Sequence, residues 1–169
     1  MFGGTAGYIS LFRFVTVLEN HGGLHIMAAF RFFRDKDMSD DLNAFREETQ
    51  SWLKDNFPPS LTKFSMGAEG ESDEGQRADL DTWRQRLADK GWGAPTWPAQ
   101  YGGAGLSHPQ AKIISQEMGK ISAFNPIPLM AGMGVTMVGP TVLEFGTDDQ
   151  KERHLPGIAS GKVRWCPGL

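Results

Sequence analysis

Cysteine is almost missing from this chain. Cys166 is the only one in 169 residues, which excludes an intrachain disulfide framework and fits a reducing cytosol. Positive charge is not in excess either. The 17 Lys and Arg stand against 20 Asp and Glu, a net charge of -3, and a nucleic-acid binder normally carries the opposite balance. Charge of both signs is absent from one stretch: no Asp, Glu, Lys or Arg occurs between Lys120 and Glu144. About 20 apolar residues are enough to cross a bilayer. Here, however, Pro126, Pro128, Pro140, Gly132, Gly134 and Gly139 interrupt the run, Leu, Ile and Phe are sparse, and no Lys/Arg cluster flanks it. No membrane span is therefore expected. Small residues and Met suit close helix packing and an irregular cavity wall, so residues 126–143 are expected to form the buried central helix of a soluble domain.

A phosphate cradle is lacking too. Gly103 and Gly105 are followed at the third position of a dinucleotide-binding pattern by His108, no strand precedes them, and no Gly-Lys-Ser/Thr occurs. His21 and His25 have the spacing of two helical metal ligands, but Gly22-Gly23 between them disfavours a helix. No metal site is expected.

What is present describes a soluble globular domain: 40% hydrophobic and 22% charged residues, with 8 Met and 5 Trp. Residues 1–37 read differently from the rest. Phe2, Tyr8, Phe12, Phe14, Phe30, Phe32 and Phe33 fall there without a sustained period. The segment lacks the marks of a secretory or mitochondrial leader. It is expected to be an unstructured extension, with translation starting at Met38.

From there the chain reads as helices. Ser39 is a good N-cap, Asp40 and Asp41 suit the first turn, and Leu42, Phe45, Trp52, Leu53 and Phe57 share one helical face before Pro58-Pro59 stops it. Residues 62–77 read as an acidic loop, then 79–90 as an amphipathic helix ended by Gly91. The connection 91–106 is anchored by Trp92, Trp97 and Tyr101. Ser107 and Gln110 make a capping box, opening a helix to about Ala123 with Ile113, Ile114, Met118 and Ile121 inward. Glu117 lies at the edge of that face, read as a solvated carboxylate against a pocket-lining role. Asn125-Pro126 breaks the helix. Thr147 and Gln150 form a second capping box for a helix from Asp148 to about His154, ended by Leu155-Pro-Gly157. His154 reads as a surface charge near that helix end. Residues 162–166 look like the start of a strand.

Five pieces, in this order, resemble the N-terminal domain of the acyl-CoA dehydrogenases. They are Trp83…Leu87…Lys90-Gly-Trp92; Ala94-Pro-x-Trp-Pro98-x-x-Tyr-Gly-Gly-x-Gly-Leu-Ser107; Gly139-Pro-Thr-Val-Leu-Glu-Phe-Gly-Thr147 with Gln150-Lys151; Leu155-Pro-x-Ile158-x-x-Gly161; and Trp165-Cys166. The resemblance covers residues 38–166 and implies an all-α fold. It implies a helical domain (38–161) and the start of a β-domain (162–169), after the extension (1–37) that composition sets apart.

By the same resemblance the activity is the FAD-dependent desaturation of an acyl-CoA thioester: a carboxylate takes the α-proton and the flavin takes the β-hydrogen as hydride. The family's base is a Glu expected beyond residue 169, so no catalytic residue is assigned here. The domain would supply one wall of the acyl pocket, with Ile114, Glu117, Met118 and Gly134. At the flavin positions Pro167 stands where the family has Gln and Leu169 where it has a stacking aromatic. The expectation is a truncated or frame-disrupted copy that does not retain FAD and is inactive alone. A cytoplasmic location and a homo-oligomeric full-length protein are also implied. The alternative is a non-catalytic helical module that binds acyl chains or a partner subunit.

Overall fold

The computed structural model describes residues 23–64 and 74–168, with side chains from residue 39 onward. It divides into two units, Met1–Asn43 and Ala44–Leu169. The described part of the first is helical. All packing discussed below lies within the second.

Helix α1 runs Gly23–Asn56, so Ser39 lies inside a helix rather than capping one, and residues 23–37 are not without secondary structure. The physical reason is plain in the chain: no Gly or Pro occurs between residues 24 and 57, and nothing else terminates a helix as firmly. Residues 1–22 lie outside the described residues. A 3-10 turn, Pro59–Lys63, leads toward α2, Glu74–Asp89. That helix starts five residues before the expected Asp79, because Gln76-Arg-Ala78 are good helix formers and Gly75 falls in a tolerant first turn. Gly91, at φ +71, turns the chain away after it.

Helix α3, His108–Lys120, carries the full Ser107/Gln110 capping box. It stops three residues before the expected Ala123, and Ile121, expected inward, is 39% exposed. The stretch expected to be one buried central helix is broken into three pieces. These are α4, Ile127–Met130, a π-turn over Gly134–Val138, and α5, Gly139–Phe145. Gly132 at φ +61 reverses the backbone between α4 and the π-turn. In the π-turn the Val138 N–H reaches back five residues to the Met133 carbonyl at 3.1 Å. Nor is the stretch buried throughout.

Helix α6, Asp148–Ala159, opens on the Thr147/Gln150 capping box and continues past the expected stop with Pro156 inside it. An internal proline costs about 3 kcal/mol. Here Leu155, Ile158 and Ala159 are each at most 1% exposed, and burying that face offsets the cost. The expected strand start is only an isolated parallel bridge, Trp165 with Gly132.

Two apolar clusters hold the unit together. The first gathers Leu53, Phe57, Leu61, Trp83, Leu87, Trp92, Ile114, Met118, Ala123 and Ile127. Trp83 is fully buried there, with Trp52 at 5.7 Å and Phe57 edge-on at 5.2 Å. Its indole N–H donates to the Phe124 carbonyl at 2.8 Å. Burying such a ring contributes a gross stabilisation of about 5 kcal/mol. The second cluster gathers Ala94, Trp97, Tyr101, Ala131, Leu155, Ile158 and Ala159.

Candidate functional site

Helix α3 and the chain from Ile127 to Phe145 carry most of the residues singled out in the sequence, and the structure sends them to different places. Ile114 and Met118 are 3% and 4% exposed, inside the first cluster. Gly134 faces the second: a Cβ there would stand 2.8 Å from Ile158 Cγ2 and 3.2 Å from Trp165 Cδ1. Pro167 is exposed, and Leu169 lies outside the described residues. The side chains of His21 and His25 also fall outside them. Among the described residues no three His, Cys, Asp or Glu gather as metal ligands, and no helix is long and apolar enough to cross a membrane.

Glu117 is not a solvated carboxylate. It is 2% exposed, and four residues from α1 and α3 organise its surroundings. Arg46 Nη1 pairs with Oε1, where Lys120 Nζ also donates at 2.8 Å. Gln50 Nε2 donates to Oε2 at 2.9 Å. The other Arg46 nitrogen donates to Gln116 Oε1 at 3.1 Å, so one guanidinium spans two neighbouring residues of α3. Burial alone pushes the Glu117 carboxyl up, but the hydrogen bonds from Lys120, Gln50 and Arg46, with the Lys120 charge, outweigh it and hold the group at about 2. An ionised carboxylate so fully bonded is a poor proton acceptor near neutral pH. Glu117 is therefore not suited to be a general base.

Part of the uncharged run is exposed to water. Leu129, Met133 and Met137 recur at four-residue intervals and are 58%, 39% and 57% exposed, and Phe145 is 76% exposed. Beside this surface Trp165 is fixed at both backbone groups: its N–H donates to the Ala131 carbonyl at 3.0 Å and its carbonyl accepts from Met133 N–H at 3.1 Å. Its buried indole nitrogen has no hydrogen-bond partner among the described residues. His154, expected at the surface, is half-buried with its ring edge-on to Trp165 at 5.5 Å.

Comparison with known proteins gives this arrangement its family. The family model for the acyl-CoA dehydrogenase N-terminal domain matches residues 39–162. Acyl-CoA dehydrogenase IpdE1 of Mycobacterium tuberculosis is 33% identical over 132 residues, which cover 76% of this chain and 32% of the relative. Acyl-CoA dehydrogenase FadE26 of the same organism is 30% identical over 126 residues, covering 73% and 29%. Among solved structures, the ChsE4-ChsE5 complex from Mycobacterium tuberculosis matches with a TM-score of 0.52 at 27% identity, over 73% of this chain and 28% of that one. The Tcur3481-Tcur3483 steroid ACAD matches at 0.52 and 27%, over 74% and 30%. The chain spans about a third of the length of these curated relatives. By that family-model match, and with a helical fold almost without strands among the described residues, the chain belongs to the acyl-CoA dehydrogenases, through their N-terminal helical domain.

Proposed function

We propose that this chain supplies one wall of the acyl pocket of an FAD-dependent acyl-CoA dehydrogenase, and that its 169 residues alone turn over no acyl-CoA. The observation that carries the reading is the exposure of four large apolar side chains, Leu129, Met133, Met137 and Phe145, within residues 129–145, a density that favours a covering partner or ligand. In this reading those residues face the ligand side, and Ile114 and Met118 form the layer behind them. Gly134 lets the π-turn settle against Ile158 and Trp165. Glu117 holds α3 in place rather than touching an acyl chain.

The residues at the family's flavin positions do not fit the cofactor. Pro167 has no N–H to donate and is exposed, and Leu169, where the family has a stacking aromatic, carries no ring. The chain alone is therefore proposed not to retain FAD. The relatives' names extend the reading to substrate and partner: one neighbour is a two-chain complex, another a steroid ACAD. A steroid-derived acyl thioester and a second acyl-CoA dehydrogenase chain are the proposed substrate and partner. Flexible Met133 and Met137 beside Gly132 and Gly134 support a wall that adapts to a bulky, rigid group. A cytoplasmic location is proposed on the free, exposed Cys166.

The test is to purify the 169-residue chain and assay flavin absorbance and dye reduction with octanoyl-CoA and with a steroid-side-chain CoA thioester. No yellow chromophore and no reduction are expected. Retained flavin with turnover would sink the inactive-wall reading. The alternative, a non-catalytic module that binds acyl chains, is favoured by the same exposed surface. Calorimetric titration with octanoyl-CoA distinguishes the two, because saturable binding to the chain alone supports the module.

A further inference from the structure

We propose that Met133 and Met137 are a reversible oxidation site, through which a peroxide turns the exposed apolar face polar. The inference rests on the exposure of that face, not on the acyl-pocket reading. Four large apolar side chains are exposed within residues 129–145: Leu129, Met133, Met137 and Phe145. Only the two methionines carry an atom that hydrogen peroxide oxidises under mild conditions and that a reductase restores. They are 39% and 57% exposed, whereas Met118 is 4% exposed within the first cluster and Met130 is half-buried at the end of α4. The spacing of four residues sets the pair on one side of a helical turn.

The step is a two-electron oxygen transfer. The thioether sulfur attacks one oxygen of hydrogen peroxide, an S–O bond forms and the O–O bond breaks. The proton left on the transferred oxygen passes to the departing hydroxide, which leaves as water. Sulfur is oxidised, peroxide is reduced, and the product is a polar sulfoxide. No backbone bond has to open for this. Met133 N–H donates to the Trp165 carbonyl at 3.1 Å, and the Met133 carbonyl accepts from Met137 N–H at 2.9 Å and Val138 N–H at 3.1 Å. The Met137 carbonyl accepts from the Thr141 hydroxyl at 2.9 Å. Oxidation therefore alters the surface and leaves the π-turn in place. No Asp, Glu, Lys or Arg lies between Lys120 and Glu144, so two sulfoxides change the character of this stretch far more than they would change a charged surface.

The test treats the full 169-residue chain with hydrogen peroxide and locates sulfoxides by peptide mass spectrometry. In parallel it follows the fluorescence of anilinonaphthalene sulfonate, a dye that reports exposed apolar surface. Met133 and Met137 are expected to oxidise about tenfold faster than Met118, and the dye signal to fall by about half as they do. Adding the two methionine sulfoxide reductases, one for each epimer, should restore it. M133L/M137L keeps an apolar face without sulfur, so its dye signal should survive the same treatment. C166S should lose signal like the unaltered chain, which separates the thioethers from the exposed thiol. The proposal is overturned if Met118 oxidises as fast as the pair, or if dye binding is unchanged or rises once both are oxidised. It is also overturned if the reductases do not restore the signal. The unaltered chain decides each of these outcomes, whether or not either variant folds.

Discussion

Around Trp83 the chain closes its interior with rings, while around Trp97 it closes it with glycines. In the first cluster Trp52 meets Trp83 and Trp92, at 5.7 and 4.6 Å, and Phe57 meets Trp83 edge-on. In the second, Gly139 lies so close to the Trp97 ring that a Cβ would stand 2.0 Å from Cη2. Among the described residues, the ring-built region leaves Ile121 exposed at the end of α3. The glycine-built region leaves Leu129, Met133, Met137 and Phe145 in water. Bulk closes an interior from within, whereas close backbone approach spends few apolar side chains on the core and frees the rest for the surface. In the proposed reading the first region is scaffold and the second is the working face.

The strongest way to break that contrast is to remove Trp83. W83A is expected to cost about 4 kcal/mol, read by chemical denaturation, and a loss under 1 kcal/mol would deny the ring cluster its role. G139A is next. Overpacking against Trp97 should cost about 2 kcal/mol, whereas a neutral effect would mean the second region is loosely packed. S107A and T147A remove the same kind of cap, one from each region. Each should cost about 1 kcal/mol, and a clear inequality measured by thermal unfolding would show that one helix start is held by other contacts.

Acid sharpens the contrast further. The Glu117 carboxyl, bonded by Lys120, Gln50 and Arg46, is held at about 2, below the ordinary value of about 4.3. A depressed carboxyl contributes stability that is fully present above the ordinary value and lost as pH falls through the native one. The first region should therefore weaken between about pH 5 and 2, and the slope should flatten in E117Q. Equal acid sensitivity in E117Q would remove Glu117 from the explanation. The smallest stability effect is expected from M137Q, within about 0.5 kcal/mol. Yet the same change should lower binding of a dye that reports exposed apolar surface, and an unchanged dye signal would mean Met137 is not part of the face.

Much of this was legible in the chain. Capping boxes at Ser107 and Thr147 and the stop after Asp89 depend on local geometry, so sequence alone locates them. The family was legible through five short pieces in order. The failures lie where distant partners decide. Pro156 remains helical because Leu155 and Ile158 have an interior to fill. Glu117 is buried because Arg46, 71 residues away, reaches it. Neither partner is visible in a local window.

The uncharged stretch shows the division most clearly. By itself, the sequence determined that residues 121–143 are apolar, rich in Gly, Pro and Met, and unfit to cross a membrane, because those properties belong to the side chains and to fixed backbone dihedrals. Only the tertiary structure decided that the stretch is three pieces rather than one helix, with Ile127 buried and Leu129 exposed two residues later. Trp97, Ile158 and Trp165 come from elsewhere in the chain, and their close approach at Gly134 and Gly139 sets which side of the stretch faces inward.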